Sequence, residues 1–115
     1  MAIKANDIDI LHKYAVGVMN RSNHHAENVG AVALTLLGGV IWRAKPGSIN
    51  IRQYDGNLAN VVWWTSEFTG QKYAVSYNHE TFEIEIRTET VNGDVKHKLC
   101  NSTPPDEVRE ILSKL

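Results

Sequence analysis

Between Val61 and Ile86 apolar and polar positions alternate in short runs separated by polar turns, the period-two signature of half-buried strands. Residues 60–66 form one such run. Val61, Trp63 and Thr65 share one face of it, and Val62, Trp64 and Ser66 share the other. A tryptophan on each face predicts a central strand covered on both sides. In the next run, 72–77, Tyr73, Val75 and Tyr77 oppose Ala74 and Ser76. Phe82, Ile84 and Ile86 then oppose Glu83, Glu85 and Arg87. Ile49 and Ile51 predict an earlier strand; Val95, His97 and Leu99 predict a last one. The breaks carry turn chemistry: Asp55-Gly56, "FTGQ", "NHET" and Asn92-Gly93, the last read as a hairpin turn.

Outside this region the period changes. Ile8, Leu11, Tyr14, Ala15, Val18 and Met19 recur at three- and four-residue spacing, predicting a helix over 7–20 with Asp7 as its cap. A second helix is expected over 25–41, with Glu27 in its first turn and Val29, Val32, Leu36, Leu37 and Val40 among its apolar positions. It carries so little polar surface that it must be the central helix or part of an oligomer interface. Gly38-Gly39 mark a possible earlier end, in which case Val40-Ile41-Trp42 starts a strand. Pro104-Pro105 opens a last helix, with Asp106 and Glu107 in its first turn and Val108, Ile111, Leu112 and Leu115 on its apolar edge. The predicted architecture is α+β: two N-terminal helices, a five-stranded antiparallel meander and a C-terminal helix, in two layers.

A chain of 115 residues makes one domain with a modest core. Net charge is −1, so there is no global attraction to phosphate. Residues 58–115 are the more acidic half, and no basic run interleaves with the aromatics, so specific nucleic-acid binding is not expected. Cys100 is the single cysteine, which fits a reducing compartment, and the N-terminus does not read as a signal peptide. The longest apolar stretch, Val29 to Trp42, is shorter than the roughly 20 residues of a membrane span. These features point to a cytoplasmic protein without membrane contact.

Candidate chemistry is sparse. Adjacent His24 and His25 point about 100° apart on a helix and do not chelate one ion together. "HHAE" lacks zinc-hydrolase spacing, so neither a metal nor a cofactor is expected. His97 and Cys100 are an odd number apart on a strand and face opposite sides. No Gly-rich phosphate loop is present. The residues left for a ligand are Trp64, Tyr73, Tyr77 and His79. Tyr73 and Tyr77 share a strand face, the turn lifts His79 to its rim, and an imidazole exchanges protons near neutral pH.

The stretch "YAVSYNHETFEIEIR", together with chain size and texture, resembles the small bacterial proteins encoded by mobile gene cassettes of integrons. That resemblance implies a soluble accessory protein, often self-associating, and assigns no functional residue. The expected function is a non-catalytic binding or interaction domain that forms a homodimer. Its apolar second helix and Trp-rich strand, Trp64 included, offer more apolar surface than a monomer this small buries. Two alternatives stand beside it. One is a small enzyme or small-molecule binder with a pocket bordered by the sheet aromatics. The other is an immunity or antitoxin protein that occludes a partner.

Overall fold

The computed structural model describes residues 2–4, 8–24, 28–54 and 57–115, without the side chains of 2–4, 21–24, 53–54 and 57–60. The elements run β1 (Ala2–Lys4), α1 (Ile8–His24), α2 (Gly30–Arg43), β2 (Asn50–Tyr54), β3 (Asn57–Thr65), β4 (Lys72–Asn78), β5 (Glu83–Thr88), β6 (Val95–Leu99) and α3 (Pro105–Ser113). The two N-terminal helices, the five-stranded antiparallel meander β2–β6 and the C-terminal helix are those the periodicities predict. A short sixth strand, β1, adds to the meander's edge with Ala2 opposite Arg52 and Lys4 opposite Asn50. Three residues are too few to show a period, and only pairing with β2 makes them a strand.

All three helices pack on one sheet face. Cross-strand rows Val62–Val75–Ile86 and Trp64–Tyr73 build that face, with Ile51 and Leu99 toward its edges. They meet Tyr14 of α1, Val32, Leu36 and Val40 of α2, and Val108 and Leu112 of α3. Trp64, Ile51, Ile86, Leu99 and Leu112 are completely enclosed. Burying each such side chain contributes roughly 1.5–3 kcal/mol.

The opposite face carries Trp63, Ala74 and Arg87 in one row and Ser76, Glu85 and Lys98 in another. Half-buried Trp63 lies under the Arg52 guanidinium, 5.5 Å from its ring centroid. Of the sheet tyrosines and tryptophans set aside for a ligand or dimer, Trp64, Tyr73 and Tyr77 therefore lie on the helix-covered side. The open side is polar around Trp63.

Several local expectations change in the folded chain. The second helix does not stop at Gly38-Gly39 but runs to Arg43. A Cβ on Gly39 would stand 2.8 Å from Leu112 Cγ, so this glycine lets α3 approach α2 closely. Phe82 is not in a strand. It sits in the 79–82 turn at φ 59° and is exposed, while Asn78 Oδ1 accepts hydrogen bonds from the Glu80 and Thr81 amides. Between β5 and β6 the chain takes a six-residue connection, 89–94, rather than a two-residue turn at Asn92-Gly93. Gly93 is required there because a Cβ would collide with the Thr88 carbonyl oxygen. The Asp7 cap, His25, Glu27 and the Asp55-Gly56 turn lie outside the described residues, as does the side chain of His24.

Candidate functional site

Helix α2 sits in the middle of the helical layer, in contact with α1 on one side and α3 on the other. Among the described residues its N-terminus has no local side-chain cap. The N-cap position is Val29, and no acidic residue occupies the first turn. The cap comes from the far end of the chain. Asn101 Oδ1, in the loop between β6 and α3, accepts hydrogen bonds from the Ala31 and Val32 amides at 3.0 and 3.1 Å. The Asn101 amide in turn donates to the Asn28 carbonyl at 2.7 Å. At the other end the Ala44 amide closes on Val40, the Lys45 amide donates to the Thr65 carbonyl, and the Glu67 amide donates to the Arg43 carbonyl. Both ends of α2 are thus fixed to the sheet layer.

The helix held this way presents two surfaces of interest. Val32, Leu36 and Val40 face the sheet. At 100° per residue the opposite arc holds Ala31, Leu34, Gly38, Ile41 and Trp42, and all five are exposed. Leu34 is 52% exposed, and Ile41 and Trp42 are each 48% exposed. A surface helix ordinarily places charged and polar side chains on this arc; here none carries a charge. Gly38 is its midpoint, and a Cβ there meets nothing within 4 Å. Nothing within the described fold requires glycine at this site, where it costs about 1 kcal/mol relative to Ala. Past the helix end the Arg43 guanidinium lies 5.1 Å from the Trp42 ring centroid and 3.9 Å from that of Phe68, which is itself 61% exposed. Arg43 Nη2 also donates to the Leu115 carbonyl oxygen. This anchoring extends the apolar strip toward Phe68.

The second surface is internal. A cavity of about 70 Å³ lies between α1, α2 and the helix-facing side of the sheet. Its wall includes Tyr14, Val18 and Met19 from α1, Leu37 from α2, and Val75 and Tyr77 from β4. Among the described residues none lining it is charged. Ala15 and Ala33, on facing helices, leave it unfilled.

The four residues singled out from the sequence fall into two pairs. Trp64 and Tyr73 stack with ring centroids 5.1 Å apart, inside the core and away from the cavity wall. Burial pushes the Tyr73 phenol above its ordinary range. Trp64 Nε1 is buried and has no hydrogen-bond partner among the described residues. These two hold the sheet to the helices. Tyr77 borders the cavity, and its ring meets the exposed His79 imidazole edge-on at 4.7 Å. The other groups with shifted acidity are scattered. Burial lowers the His97 pKa; the hydrogen bond to Ser102 Oγ lowers that of the Cys100 thiol. Glu85, 5% exposed on the open sheet face, is held below the ordinary carboxylate range by its hydrogen bond to Arg87 at 2.8 Å, helped by Asn78. Among the described residues no three His, Cys, Asp or Glu side chains are grouped to hold a metal ion.

Sequence reading had noted how apolar the second helix is. Spacing places Ala15 on the apolar stripe of the first helix and Ala33 among the apolar positions of the second, but it neither separates the buried face of the second helix from the exposed one nor shows that these two alanines border a cavity. Small residues on an apolar helix carry no signal until the facing surfaces are known.

Among the described residues no helix is long and apolar enough to cross a membrane. A search of curated proteins found no match. A family model described as "Integron cassette protein VCH_CASS1 chain" matches residues 11–109, from the first turn of α1 into α3. The chain therefore belongs to this bacterial integron cassette protein family, as the resemblance in its sheet region implied.

Proposed function

We propose that the protein is a non-catalytic interaction domain that pairs with a second copy of itself through the exposed arc of α2. The observation that carries this reading is the uncharged arc Ala31–Leu34–Gly38–Ile41–Trp42, with a glycine at its midpoint that the fold itself does not need. A helix that is apolar all round belongs in an interior. Here one side of that interior is open. Leu34, Ile41, Trp42 and Phe68, each about half exposed, leave on the order of 400–500 Å² of apolar surface. That is the size of the largest patch on a typical monomer, which is often a functional one, and it supplies the centre of an interface of about 800 Å² per partner. Exposed Asp9, His12 and Lys13 of α1 and Asp106, Glu107, Arg109 and Glu110 of α3 flank it as a polar rim. In a two-fold arrangement the α2 helices cross near Gly38, where the missing side chain lets the backbones approach. The contact thus shifts from the Trp64 strand to α2, because Trp64 is enclosed.

The alternating charges on the open sheet face give no basic track for a nucleic acid, so specific DNA or RNA binding is not part of this reading. The single cysteine, which allows no intramolecular disulfide, supports a reducing, cytoplasmic location in this reading.

Sedimentation velocity between about 5 and 100 µM, the range in which a standard-sized interface is populated, tests the pairing. The expected mass is twice the 12.9 kDa of the chain. Ile41→Glu, at an exposed position outside the cavity wall, is expected to give a monomer with an unchanged far-UV spectrum. A wild-type monomer throughout that range, or an Ile41→Glu dimer, refutes the arrangement.

A further inference from the structure

We infer that the cavity between α1, α2 and the sheet is a binding site for a small, uncharged, hydrocarbon-rich molecule carrying at most one hydroxyl group. The inference is independent of self-association and concerns the inner side of the helical layer.

Three observations fix the class of ligand. The first is size. A cavity of about 70 Å³ is roughly half the volume of one that accepts benzene, which limits the occupant to about four or five heavy atoms. The second is charge. Among the described residues no charged side chain lines the wall, so an ionised ligand would lose its hydration without a counter-charge from them. The third is polarity. The wall is mostly aliphatic, with the Tyr14 and Tyr77 rings on it and the Ser76 side chain on the opposite sheet face, which suits a largely apolar molecule. An alcohol of three or four carbons meets all three conditions.

The cavity also has a construction that a packing accident lacks. Ala15 and Ala33 stand on opposite helices, and a leucine at either position would occupy the space between them. Leu34, half exposed, brings the wall to the protein surface. Tyr77 connects the interior to the outside, because its ring touches the cavity on one side and the exposed His79 imidazole on the other.

The experiment is a titration with 1-butanol, followed by the methyl resonance of Met19. The chain has two methionines, Met1 and Met19, and Met19 lines the cavity, so its signal is readily assigned by comparison with a Met19→Leu variant. Saturable shifts of the Met19 methyl and of the His79 ring are expected, with a midpoint at millimolar concentration or below. Butyrate and butylammonium, charged molecules of the same length, are expected to leave both signals in place. Ala33→Leu is expected to reduce the butanol response at least tenfold; Ala15→Leu serves the same purpose should the first variant fail to fold. Xenon under pressure, observed on the wild-type protein, gives a reading that needs no variant: it must shift the Met19 methyl. Linear, unsaturable butanol shifts, equal binding of the charged analogues, an undiminished response in the filled variant, or a xenon-insensitive Met19 each overturn the assignment.

Discussion

Replacing Asn101 by alanine tests how α2 is held. The side chain supplies one oxygen to two helix-terminal amides, those of Ala31 and Val32, at 3.0 and 3.1 Å. Among the described residues no other side chain caps this helix, and its first turn lacks an acidic residue to offset the dipole. An N-cap asparagine replaced by alanine costs about 0.5–2 kcal/mol. The Val32 amide belongs to a residue only 3% exposed, so water does not readily replace the lost bond and the upper half of that range, about 1–2 kcal/mol, is expected. The unfolding entropy of a chain this long is about 240 cal/mol/K, so the melting temperature should fall by about 4–8 °C. Thermal and urea unfolding followed by circular dichroism measure it, in the Ile41→Glu background so that self-association does not contribute. Asn101→Asp is the control. Its carboxylate keeps the acceptor and adds a favourable charge at the helix N-terminus, so stability at pH 7 should match or exceed that of the parent. A loss below about 0.3 kcal/mol for the alanine variant, well under the usual range of cap effects, would show that the long-range cap does not hold the helix. So would an aspartate variant as unstable as the alanine one.

Two further perturbations read other parts of the fold. Gly39→Ala places a Cβ 2.8 Å from Leu112 Cγ, against a fully buried side chain, and should destabilise by about 1 kcal/mol after the gain in helix propensity. Its neighbour Gly38→Ala meets open space and should stabilise the isolated chain by up to about 1 kcal/mol; urea midpoints at low protein concentration that move in the same direction for both would contradict the packing of α2 on α3. Glu85 has a folded-state pKa lowered mainly by the Arg87 hydrogen bond, so it adds stability above the ordinary Glu pKa of about 4.3, and this is lost as pH falls through the lowered folded value. Glu85→Gln should therefore flatten the decline in melting temperature below about pH 4.5, and an unchanged pH profile would remove Glu85 from that account.

The sequence by itself determined the kinds of elements and their order. Side-chain periods of two and 3.6 are local, so the meander over residues 50–99 and the three helices were legible from Val61 to Ile86, from Ile8 to Met19 and from Pro104 onward. The family was legible there too. Tertiary structure decided what depends on contacts between distant segments. Gly38-Gly39 read locally as a helix end, yet α2 continues because α3 packs on Gly39 and Asn101 caps the first turn from 70 positions away. Three residues at the start became β1 only by pairing with β2. Trp63 and Trp64 looked equivalent on a strand with two apolar faces. The placement of all three helices on one side buried Trp64 completely and left Trp63 beside Arg52. The cavity was the least legible feature, because it is a mismatch between three packed surfaces, and no single segment's pattern contains the shape of the other two.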